Sequence, residues 1–231
     1  IFEKIMGHCP YQSPTDMGVN MVGSCIVDEE AVCDAARQEI IRRYYAACCD
    51  RRRGQESDEV VYKLELLMQQ AGVDASARPV VGASEALAED TGLPAVAIQL
   101  PDGAMVRGKT TELMGASASA LLNALKELAG IEHAIHLISP EAIAPIQAVK
   151  VDHLGSLNPR LHSNEVLIAL ASSATGSVYA ARALEKLDRL RGCEAHSSVI
   201  LSAADSDTYK RLGLNLTCSA QYQSNNRLYH P

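Results

Sequence analysis

Apolar side chains recur at helical spacing through the first part of the chain. Val32, Ala36, Ile40, Ile41, Tyr44, Tyr45 and Cys48 fall on one face of a helix that Asp28 can cap and that runs to about Arg53. Gly54 supplies the stop, and Arg51, Arg52 and Arg53 sit where a helix C-terminus favours positive charge. Ser57 opens a second helix with Val60, Leu64, Leu67 and Ala71 in register and Gly72 after it. The short connection implies an antiparallel pair. A third helix covers 79–91 and ends at Thr91-Gly92. Residues 1–92 therefore read as a helical bundle subdomain.

After Pro94 the pattern alternates between short apolar runs and amphipathic stretches. "AVAIQL" (95–100) has the length, β-branched content and flanking prolines of a strand. Further strands are expected at 134–138 ("AIHLI"), 198–201 ("SVIL") and 214–218 ("LNLTC"), with helices at 117–129, 140–148, 164–175 and 178–191. Ser139-Pro140-Glu141 is a cap, a first-turn Pro and a favourable acid. Ser202 and Asp205 form a capping-box pattern for a last helix that Gly213 ends. The fold class is α/β (α+β), with residues 93–231 a layered sheet covered by helices.

Composition narrows the function classes. A net charge of -7 argues against nucleic-acid binding, and the absence of Trp with a single Phe leaves no stacking platform. No apolar run reaches the roughly 20 residues that span a bilayer, so no membrane contact is expected. The seven cysteines include no C-x-x-C, which fits reduced thiols in a cytoplasmic protein. The opening "IFEKIMG" reads as the inside of a helix, so the chain reads as a fragment.

"GAMVRGKT" (103–110) satisfies the phosphate-loop expression G-x-x-x-x-G-K-[ST] letter by letter. Its flanks favour another origin. Pro101-Asp102-Gly103 supplies a tight turn, Ala104 to Arg107 extend as a strand, and "TTELMG" reaches Gly115 before helical periodicity begins. An ATPase built on this octet is the least favoured reading, and Lys109 is left as a lone cation available to a cleft.

The densest chemistry lies in "VDHLGSLNPRLHSNEVLIALA" (151–171), where polar residues run into a helix that is apolar nearly all round. A buried helix N-terminus, with unpaired N–H groups and partial positive charge, suits a phosphate or carboxylate. His153, Asn158, Arg160, Ser163 and Asn164 are the candidate ligand-binding residues there, with His162 and Glu165 as candidate catalytic groups. The competing reading is equally physical: Ser163 or Asn164 caps the helix, Glu165 complements its dipole, and Gly155 and Pro159 make turns. A second cluster, "GCEAHSSVIL" (192–201), adds His196 as a candidate acid or base and Ser197 as a ligand contact. Cys193, His196, His162 and His153 have no recognised metal-ligand spacing, so no metal is expected. No cofactor motif is present. A third polar stretch, "YQSPTDMGVNMVG" (11–23), reads as a loop and cap or as a cleft lining.

Three stretches, "SPTDMGVNMVG", "HLGSLNPRLHSNE" and "EAHSSVIL", together with "IIRRYY" and "AIQLPDG", resemble the bacterial family named domain of unknown function 1846 along essentially the whole chain. The resemblance implies that this is the C-terminal half of a longer protein, packing against an N-terminal α/β half. It also implies a helical subdomain followed by a three-layer α-β-α sandwich. It brings no catalytic residues with it. The favoured expectation is a binder of a small anionic ligand, or an enzyme, with its site around 153–165 and 194–198. The alternative is a structural or homo-oligomerisation module in which the first two helices form the interface.

Overall fold

The computed structural model describes residues 28–223; the polar stretch 11–23 and the end of the tail (224–231) lie outside them. The described chain runs α1 (Glu29–Arg52), α2 (Asp58–Gln70), α3 (Pro79–Thr91), β1 (Ala95–Gln99), β2 (Met105–Lys109), α4 (Ala116–Ala129), α5 (Pro140–Ala148), α6 (Ser163–Ser173), α7 (Val178–Leu184), β3 (Glu194–Ser197), α8 (Ala203–Leu212) and β4 (Asn215–Cys218). A π-helical turn, Val149–His153, follows α5. Asp28 caps α1 by accepting from the Ala31 N–H at 2.9 Å, and left-handed Gly92 and Gly213 close α3 and α8.

The strands form one mixed sheet in the order β2-β1-β3-β4. β1 is antiparallel to both β2 and β3, whereas β3 and β4 are parallel. The carboxyl ends of β2, β3 and β4 therefore share one edge of the sheet with the amino end of β1. Val96, Ile98 and Ala195 face a large core made with Leu121 and Leu125 of α4, Leu170 of α6 and Tyr209 of α8. The opposite face is covered by α1 and α3, where Ile41, Tyr45, Met68 and Val81 form a second cluster. β1 is buried on both faces, which is why "AVAIQL" reads as a continuous apolar run rather than an alternation.

The phosphate-loop octet is a hairpin. Gln99 pairs with Met105, Gly103 takes a φ of 86°, and Asp102 Oδ1 accepts from the Ala104 N–H at 3.0 Å. Gly108 has a packing origin: a Cβ there would lie 2.2 Å from the Ala120 backbone N of α4. No helix starts at Lys109, since α4 begins at Ala116.

Several element expectations change. Residues 134–138 form no strand; Leu137 and Ile138 are simply buried, and a short apolar run carries no period that separates the two cases. The strand expected at 198–201 lies earlier, at Glu194–Ser197. Ser197 Oγ turns the chain there, donating to Val199 O at 2.7 Å and accepting from its N–H at 3.3 Å. The helix expected over 178–191 stops at Leu184 and is followed by a 3-10 turn, Leu187–Leu190. α6 begins at Ser163, so its N-cap is His162 rather than Ser163 or Asn164. It is buried on one face only, since Ile168 is 71% exposed.

Candidate functional site

Three helices, α4, α6 and α8, begin at the carboxyl edge of the sheet, and the Asp205 carboxylate joins them. Asp205 Oδ1 accepts from the Ser163 N–H at 2.8 Å, from Ser163 Oγ at 2.7 Å and from Ser117 Oγ at 2.8 Å. Oδ2 meets His162 Nδ1 at 2.8 Å and accepts from Ser202 Oγ at 2.7 Å. Ser202 in turn accepts from the Asp205 N–H at 3.2 Å, completing the capping pair anticipated between these two residues. Burial alone would raise the Asp205 carboxyl, but hydrogen bonds from His162, Ser163 and Ser202 outweigh it and hold the group well below the usual carboxylate range. An ionised carboxylate only accepts, so His162 Nδ1 carries the proton it shares with Asp205. Its Nε2 has no hydrogen-bond partner among the described residues, and the side chain is 20% exposed.

The other anticipated residues separate. Glu165 Oε2 accepts from the His162 N–H at 2.7 Å and from buried Lys150 Nζ at 2.7 Å. Lys150 also donates to Arg160 O at 2.7 Å, so it ties the π-helical turn to the start of α6. Arg160 Nε donates to Thr111 O at 2.8 Å, and its Nη1 is buried with no hydrogen-bond partner among the described residues. Asn158 is buried, with Oδ1 accepting from the Arg160 N–H at 3.1 Å. His153 and Asn164 are exposed. Ser163 directs both its N–H and its hydroxyl to Asp205, so the chain itself supplies an anion to the α6 N-terminus.

His196 lies on the other face of the sheet, since Ala195 faces the α4 core and strand side chains alternate. It is fully buried, with Nδ1 2.7 Å from Thr217 Oγ1, Nε2 3.0 Å from Ser219 Oγ, and Tyr45 edge-on to its ring. Ser219 Oγ donates to Glu85 at 3.0 Å. Burial, and secondarily the charge of Arg78, push the imidazole down to about 3, so it is neutral. His162 and His196 thus belong to different sites. Ser197 is buried in its turn. Cys193 Sγ contacts Arg189 O at 3.5 Å, and no three His, Cys, Asp or Glu residues among those described gather as a metal group.

Two cavities meet at the 198–202 loop. A narrow crevice of about 20 Å³ is lined by Ser117, Ser202 and Asp205. It shares Pro94, Val199 and Gln223 with an open cleft of about 550 Å³ whose polar lining includes Glu85, Glu89, Ser198, Ser219 and Gln221. Among the described residues, no Lys or Arg lines either cavity. Ligands of open α/β sheets gather at this kind of edge, outside the carboxyl ends of the strands. Asp205, Ser117 and Ser202 were not legible as site residues. The one available signal is an acid at the third helical position, read as a cap alone.

Residues 76–229 match the model described as domain of unknown function DUF1846, C-terminal, and residues 1–72 match its N-terminal counterpart. The expectation of a C-terminal half alone is corrected by the second match. The chain is 52% identical over 223 residues to a UPF0371 protein of Streptococcus thermophilus, covering 96% of this chain and 45% of that one. It is 51% identical over 229 residues to a UPF0371 protein of Streptococcus pneumoniae, covering 99% and 46%. A UPF0371 protein of Corynebacterium glutamicum is 50% identical over 223 residues, covering 96% and 45%. The chain thus spans about half the length of the curated relatives it matches. With both domain models matched in order along 1–229, the chain belongs to the DUF1846 family.

Proposed function

We propose that the carboxyl edge of the sheet is an acid–base site acting on a small polar molecule, with His162 as the group that moves the proton. The observation that carries this is the His162–Asp205 pair: an ionised, buried carboxylate fixes Nδ1–H at 2.8 Å and leaves Nε2 as a base. That is the division of labour in which a carboxylate orients an imidazole for general-base catalysis. The hydroxyls of Ser117, Ser163 and Ser202 all donate into Asp205, so they serve as orienting groups rather than nucleophiles. Among the described residues, the cleft that meets the Asp205 crevice at Pro94, Val199 and Gln223 is lined by acids and uncharged polar groups, so a neutral or cationic substrate suits it better than an anion. The free thiols of Cys48, Cys49 and Cys193 fit a reducing, cytoplasmic setting.

The test needs no known substrate at its first step. Long-range proton–nitrogen NMR of imidazole-labelled protein should find His162 protonated at Nδ1 and bare at Nε2; an Nε2–H tautomer, or a ring protonated at both nitrogens, refutes the base. In a screen of generic ester, phosphoester and glycoside substrates, any turnover found should fall at least 10²-fold in His162→Gln. A second reading has its own support. Asp205 is only 4% exposed and all its donors come from the chain itself, as expected of a clamp that merely ties three helix ends. That reading predicts that His162→Gln changes stability and leaves every ligand effect intact.

A further inference from the structure

A second pocket, separate from this site, lies on the outer side of α4 beyond the end of β2. Its volume is about 260 Å³, and Lys109, Ser119, Leu122, Lys126, Leu137 and Ile143 are among its lining residues. Lys126 is 7% exposed, yet no carboxylate among the described residues pairs with it. Among the described residues its single partner is the His133 carbonyl, to which Nζ donates at 3.0 Å, whereas an ammonium has three donors. A buried cation without a counter-ion is strongly unfavourable. Ser119 Oγ, two turns earlier on the same helix, is buried with no hydrogen-bond partner among the described residues. Among the described residues no acid lines the pocket, and His136 also contributes to its wall.

We propose that this pocket binds a small carboxylate with an apolar body. The carboxylate supplies the counter-ion for Lys126, with Lys109 at the rim. The body lies along Leu122, Leu137 and Ile143 towards Ser119, whose hydroxyl takes a polar group at the far end. Lys126 and Ser119 are about 10 Å apart along the helix axis, so a six-carbon acid bearing a terminal hydroxyl is the probe of choice. Inorganic phosphate, with no body to bury, gains little from such walls. Burial also draws the Lys126 ammonium below the ordinary lysine range, as a site held ready for an anion would.

Calorimetric titration of the chain with hexanoate, 6-hydroxyhexanoate, hexan-1-ol and inorganic phosphate tests this. Both acids should bind, the hydroxy acid more tightly, and hexanol and phosphate at least tenfold more weakly. Lys126→Met should abolish binding of both acids and raise the melting temperature of the ligand-free protein, because an unpaired buried charge is replaced by an apolar side chain of similar length. A lowered melting temperature marks Lys126 as a structural anchor for His133 and overturns the proposal. So does absence of acid binding, binding that persists in Lys126→Met, or phosphate binding as tight as hexanoate. Ser119→Ala should reduce the preference for the hydroxy acid only. His162→Gln should leave both acids bound, which keeps this pocket's test independent of the acid–base site.

Discussion

At the scale of single residues, two buried positions carry sharp consequences. His196 is neutral in the fold, at about 3, but titrates near 6.5 once unfolded. The unfolded chain therefore binds the extra proton between those values, and stability falls as pH is lowered from about 6.5, by up to about 1.4 kcal/mol per pH unit. Asp205 acts in a lower window: its depressed folded value contributes stability that is present above about 3.9 and lost as pH drops below it. Urea unfolding at pH 7 and pH 5 should thus show a loss attributable mainly to His196, and His196→Gln should flatten it. An unchanged slope in that variant removes His196 as the cause. Gly108 is the other position. A Cβ there meets the backbone of α4 at 2.2 Å, and backbone cannot swing aside as a side chain can. Gly108→Ala should lower stability by about 1–3 kcal/mol in chemical denaturation, while Gly103→Ala should act through its positive φ instead.

At the scale of elements, the helices of the first region are pinned to the sheet by one partly buried ion network. Arg78, 1% exposed just before α3, pairs with Glu194 of β3 and donates to Ala195 O at 3.3 Å and Asn215 O at 3.2 Å. Arg42 of α1 reaches the same Glu194 at 3.0 Å. The network joins α1, α3, β3 and β4, and it explains why Glu194 does not orient His196, two residues on. Arg78→Ala should cost about 3 kcal/mol, near the lower end for breaking a buried pair because Arg42 still neutralises Glu194. Hydrogen exchange should accelerate first in α1 and β4. Protection unchanged in both would mean that apolar packing alone holds these helices down. The caps at Asp28, Gly92 and Gly213 were legible because a helix end is decided by a few neighbouring residues. The strand displaced from 198–201 to 194–197 was not, because its bounds depend on pairing with β1 and on the Ser197 turn.

At the scale of the whole molecule, the sequence by itself determined the helical face of α1, the third helix over 79–91, the hairpin concealed in a nucleotide-like octet, the mixed α/β class and the kinship. These follow from periodicity, turn chemistry and long unusual motifs, all local in the chain. It also placed His162 in a polar centre. What only the tertiary structure decided is which polar groups meet. It gave His162 the carboxylate of Asp205, 43 residues away, rather than nearby Glu165, which Lys150 holds. It set His196 across the sheet from His162, because a strand alternates its side chains between faces. It left Lys126 buried, without a counter-ion among the described residues, in a pocket also lined by Lys109, the lysine of the rejected octet. Local patterns fix elements because their energies are local. A site joins residues distant in sequence, and their meeting is set by how helices and strands pack around a common core.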